Sequence, residues 1–133
     1  AFDSAGGRSV GTHALVAYYK ERTDAYVASY HYPHSHEITF ADDDNAKGLV
    51  CAHAELVIEG ETVFVALRYD DTYRRVDGRW CFDERITHLL YVLKLSELPT
   101  GFTDRLRVRW PGTEPQVAQI GADVAGGRTP EPR

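Results

Sequence analysis

The chain has 133 residues, of which 43% are hydrophobic and 26% charged. That is the size and composition of one globular domain rather than a disordered segment, and no run of about 20 apolar residues is present to span a bilayer. The formal net charge of -5 repels phosphate backbones, so nucleic acid is not an expected partner.

Residues 1–11 read as the end of a strand followed by a turn at Ala5-Gly6-Gly7. Thr12 is the expected cap of a helix from about His13 to Ala25, in which Leu15, Val16, Tyr19 and Arg22 recur at helical spacing. The period then changes to two. Strands are predicted over Val27 to Phe40, Lys47 to Ile58, Thr62 to Val76 and Arg79 to Leu95. Asp42 to Asn45 is a turn, Glu59-Gly60-Glu61 a tight hairpin connection, and Asp77-Gly78 the strongest hairpin signal in the chain. Four strands joined by such turns make an antiparallel meander rather than a parallel sheet. Pro33 inside the first long strand marks an edge or a bulge. From Ser96 onward periodicity is lost and five of the six prolines occur. Residues 1–99 are therefore expected to form the domain, and 100–133 an extended arm and a mobile tail.

Cys51 and Cys81 sit in apolar strand-like runs without a C-x-x-C pattern. They are expected to be two buried free thiols in a reducing compartment, so the expected location is cytoplasmic. Nucleophile elbow, phosphate loop and dinucleotide fingerprint are all missing from the sequence.

Histidine carries the strongest chemical signal. Of six, His31, His34 and His36 lie in one hexapeptide, His53 is in the middle of the next strand, His88 is on the last long strand and His13 is on the helix. Regular alternation puts His34, His36, Ile38 and Phe40 on one face, and a bulge at Pro33 returns His31 to it. His53 is expected to face this cluster from the neighbouring strand. Four readings stay open. These are core histidines satisfied by backbone and tyrosine, a metal site using His31, His34, His36 and His53 together, solvent-facing residues, or an acid–base site. The His-x-His pair lacks the following glutamate of a cupin ligand set, so the expectation is no metal. Alternation also puts Tyr69, Asp71 and Tyr73 on one side of their strand, and Arg68, Asp70 and Arg74 on the other. Arg85, set among acidic neighbours, reads as a structural ion-pair partner.

The segments GRSVGTHALVAYY, SYHYPHSHEITF, AKGLVCAHAEL and ALRYDDTYRRVDGRWCF, in that order, resemble the SnoaL-like branch of the nuclear-transport-factor-2-like superfamily from about Phe2 to Pro99. The resemblance implies an α+β cone, a curved antiparallel sheet of four to six strands packed on helices around an apolar pocket. It implies a lyase, isomerase or cyclase without cofactor, acting on a hydrophobic, polyketide-like or steroid-like molecule. His31 and His53 fall at the catalytic positions. His34, His36, Tyr69, Tyr73 and His88 are the expected substrate contacts. The resemblance also implies that helices preceding Phe2 close the cone, supplied by missing residues or a companion chain or replaced by a different helix, with an exposed apolar patch where nothing closes it. A homodimer is expected on the same ground. A non-catalytic binding protein and a small structural subunit of a ring-hydroxylating dioxygenase are the alternatives.

Overall fold

The computed structural model describes residues 1–4 and 7–119. The chain order is β1 (Phe2–Ser4), β2 (Gly7–Ser9), α1 (Thr12–Asp24), β3 (Tyr26–Phe40), β4 (Asn45–Ile58), β5 (Glu61–Val76) and β6 (Arg79–Lys94), then a 3-10 turn (Leu95–Glu97) and α2 (Leu98–Gly101). The strands form one curved sheet in the order β2-β1-β6-β5-β4-β3. The four long strands are the expected antiparallel meander. Two of its three hairpins close on two-residue turns with both central residues at positive φ: Glu59 and Gly60 at 52° and 79°, Asp77 and Gly78 at 50° and 75°. That is the mirror-image turn whose twist matches paired strands.

The N-terminal residues differ from the sequence reading. Phe2–Ser4 and Gly7–Ser9 pair as a small hairpin, and β1 lies parallel to β6 with Phe2 opposite Arg85. Three-residue strands are too short to show a period. Thr12 is the first helical residue rather than the cap. Gly11, at φ 87°, precedes it, and no side chain caps the helix. The expected mobile tail lies, from residue 120 onward, outside the described residues.

Alternation in β4 assigns the two faces. Ala46, Val50, Ala52, Ala54, Leu56 and Ile58 are buried, while Lys47, Cys51, His53 and Glu55 between them are not. We call the buried side the inner face. It carries the core with Val63, Val65 and Leu67 of β5 and Leu89 and Val92 of β6. The segment beyond α2 returns along β6, where Val92 donates its N–H to the Arg107 carbonyl and accepts from Arg109. Val108 is thereby buried in the core, and Trp110 packs against it. Helix α1 crosses the inner face near β1, where Phe2 meets the rings of Tyr18 and Tyr19 at centroid distances of 5.1 and 5.4 Å.

Beyond that crossing the inner face is open. Ile38, Phe40, Trp80 and Phe82 form an exposed apolar strip, with Phe40 65% and Phe82 63% accessible. An apolar patch of this kind is what an uncovered sheet leaves. Both cysteines are free, but Cys81 is exposed and Cys51 only partly buried, against the expectation of two buried thiols. No helix among the described residues is long and apolar enough to cross a membrane.

Candidate active site in the hollow of the sheet

Between α1 and the inner face lies a cavity of about 170 Å³. Its walls are Ala54, Leu56, Val65, Leu67 and Leu89 of the sheet, and its rim and roof include Phe2, Tyr18, Tyr19, Tyr26 and Trp110. Polar groups are few: His31 and Ser29 of β3, Arg22 and Thr23 of α1, Tyr69 of β5 and Thr87 of β6. A mostly apolar hollow with a small polar set is the usual form of a small-molecule site.

His31 reaches this hollow because β3 bulges. His31 pairs with Ala54 and His36 with Val50, both inner positions, and the register slips between Pro33 and Ser35. Proline, with no N–H to give, sits where the ladder breaks. His31 stands at the rim, exposed on one side, and no described residue gives its ring a hydrogen bond or ion pair. Partial burial pushes its pKa below 6.5, so the ring is held as neutral imidazole near pH 7.

The bulge also corrects the expected cluster. His34 is the extra residue, and it turns to the outer face. There its Nε2 lies 2.5 Å from Nδ1 of His53, so one of the two carries the shared proton, and the rings stack at 4.7 Å. His53 is opposite Tyr32, whose ring stacks on it at 4.8 Å, and its Nε2 is 3.7 Å from Glu55. His31 and His53 therefore lie on opposite sides of the sheet and do not meet in one site. A four-histidine metal site fails for the same reason, because His31 and His36 point inward while His34 and His53 point outward. His88 is on the outer face too, donating from Nε2 to Asp70 at 2.8 Å.

His36 and Tyr73 are on the inner face but outside the cavity, beside the open apolar strip. Tyr73 donates to Asp71 at 2.7 Å, so its hydroxyl accepts from Nε2 of His36 at 3.0 Å. Asp71 is 3% accessible. Arg85 grips it with Nε on one oxygen and Nη2 on the other, each at 2.7 Å. The guanidinium also lies over Tyr69 at 4.1 Å and Phe82 at 4.7 Å. Burial alone would lower the Arg85 pKa, but the bond to Asp71 and its charge outweigh that and raise it. Burial, then the bond to Asp71, pushes Tyr73 up to about 12. Arg85 is thus an ion-pair partner, as its sequence context suggested, but its partner is Asp71 across the strand pair rather than its acidic neighbours. The pair locks Tyr69, whose pKa burial also raises, against the floor of the cavity.

Sequence reasoning found His31 and Tyr69 among the cavity residues. It missed Thr87, Phe2, Tyr18, Tyr26 and Trp110. For Phe2 and Trp110 nothing local announces the position, which comes from pairing of β1 and residues 107–109 with β6.

A family model described as the SnoaL-like domain matches residues 1–86. No curated protein sequence matches the chain. Among solved structures, LinA aligns with a TM-score of 0.69 and 19% identity over 71% of this chain and 67% of LinA. Hexachlorocyclohexane dehydrochlorinase LinA-type3 from Novosphingobium barchaimii LL02 aligns at 0.68 with 18% identity, over 71% of this chain and 68% of that one. A protein provisionally named a scytalone dehydratase, from Novosphingobium aromaticivorans DSM 12444, aligns at 0.62 with 18% identity, over 69% and 64% of the two chains. At these identities the likeness establishes the fold alone, an α+β cone with a curved sheet. With the sequence match over residues 1–86, it follows that this chain belongs to the SnoaL-like domain family.

Proposed function

We propose that the chain is a lyase or isomerase that works without a cofactor on a hydrophobic, oxygen-bearing small molecule, with His31 as its general base. The observation that carries this reading is the environment of His31. It is a neutral, unpartnered imidazole with a lowered pKa, at the mouth of an apolar hollow. Such a ring takes a proton from a carbon next to a carbonyl, and the electron pair moves into the new C=C bond as charge builds on the oxygen. Loss of a β-substituent then gives elimination, and return of the proton elsewhere gives isomerisation. A positioned base of this kind contributes about 10²- to 10⁴-fold. Tyr69, held by Arg85, lines the same cavity and is the residue we assign to orient the substrate. The structural neighbours named as dehydrochlorinases and a dehydratase carry out or are assigned eliminations, which agrees in class.

The test is deuterium incorporation from heavy water into cyclohexanone as a model carbon acid, followed by NMR. The protein should accelerate exchange, and His31→Gln should lower the accelerated rate by at least about 100-fold. Full retention of exchange by His31→Gln would remove His31 as the base. A second reading is a binding protein without turnover, favoured by the lack of any described carboxylate bonded to His31. Saturable ligand binding without any exchange in the unmodified protein would select it.

A further inference from the structure

The hydroxyl of Thr87 is the one buried side-chain polar atom among the described residues with no hydrogen-bond partner. Thr87 also lines the cavity. It sits in the middle of β6, directly opposite Tyr69 and two residues from Arg85 and Leu89 on the same face. Buried hydroxyls are nearly always satisfied, and one left alone in an apolar wall loses its hydration with no return. Valine has the same shape and no such cost. A turn of roughly 120° about the Cα–Cβ bond carries the hydroxyl into the place the methyl held, with the methyl moving to the hydrogen's place, and so can aim the donor at the cavity.

Volume limits what that donor meets. An apolar cavity of about 150 Å³ accepts one benzene ring, and this one holds about 170 Å³. Its aromatic walls, Phe2, Tyr18, Tyr19, Tyr26, Tyr69 and Trp110, suit a flat ring. A four-ring steroid exceeds that space and would have to extend through the open mouth.

We infer that Thr87 is the polar anchor of the ligand site, donating a hydrogen bond to an oxygen carried by a single six-membered ring. The inference uses the cavity of the proposed function and narrows its ligand, but it does not use the proton transfer. Its test therefore reads binding alone.

Titration calorimetry with phenol and with cyclohexanone measures the affinity of the unmodified protein, Thr87→Val and Thr87→Ser. Saturable binding of at least one ring compound is expected. Thr87→Val should weaken it about five- to ten-fold, the usual worth of one neutral hydrogen bond. Thr87→Ser should restore most of the loss, and benzene should bind the protein and Thr87→Val alike. Affinities of Thr87→Val for phenol and for cyclohexanone equal to those of the unmodified protein would overturn the anchor. No saturable binding of either compound at millimolar concentration, or tighter binding of the steroid oestradiol than of both, would overturn the ligand class. Binding that depends on Thr87 in a protein that shows no deuterium exchange would leave the anchor standing and remove only the catalytic reading.

Discussion

Replacing Arg85 with methionine should be among the most destabilising changes available in this chain. The side chain of Asp71 is fully buried, and its carboxylate holds two bonds from Arg85 and one from Tyr73, each 2.7 Å long. Arg85→Met removes the countercharge and two of the three donors and fills the space with an apolar stem. A buried charge left without its partner costs about 3–5 kcal/mol. For a domain of this size, 1 kcal/mol shifts Tm by about 4 °C, so the melting point should fall by about 12–20 °C. The double variant Asp71→Asn with Arg85→Met removes the stranded charge and still accepts from Tyr73, so it should recover most of the loss. Urea unfolding followed by fluorescence of Trp80 and Trp110 gives both values. A cost below about 1 kcal/mol for Arg85→Met, the worth of an exposed ion pair, would contradict the buried clamp.

The alkaline limb of stability should carry the signature of Tyr73. Its folded pKa of about 12 lies above the ordinary 10, so the unfolded chain releases its proton first. Stability falls as pH rises from 10 toward 12, and the fall should be shallower in Tyr73→Phe, read from urea midpoints across that range. On the outer face, His53→Ala should leave deuterium exchange within two-fold of the unmodified protein. A loss as large as that of His31→Gln would show that the two histidines act together after all.

Much of the sheet was legible before any coordinates. The change of period after Ala25, the Asp77-Gly78 turn and the apolar alternation of β4 each have a local cause, and each matches the structure to within two residues. The same alternation also contained the orientation of His53. Ala52 and Ala54 are inner residues, so the histidine between them faces out. Clustering of histidines in the sequence pulled it toward the site against that pattern. The bulge in β3 was signalled by Pro33, but which residue it ejects depends on where the register slips, and that is settled by pairing with β4. His34, not His31, is the residue that leaves the inner face. Asp71 and Arg85 are fourteen positions apart in the chain. Their contact depends on the β5–β6 register, including the bulge between Thr72 and Tyr73. The polar anchor Thr87 is an ordinary strand threonine in sequence. Only its burial without a partner distinguishes it.

The central claim is that one neutral imidazole on the inner face moves the proton. The most direct measurement is the pH dependence of protein-catalysed deuterium exchange into cyclohexanone, set beside the NMR titration of the His31 ring. Burial lowers the His31 pKa below 6.5, and a base works only when unprotonated. The rate should therefore be flat near pH 7–8 and fall on the acid side, with a midpoint below about 6.5 that coincides with the titration of His31. His31→Gln should lack both the rate and the acid limb. An unchanged rate in His31→Gln, or an acid limb that does not follow the His31 titration, would contradict the assignment.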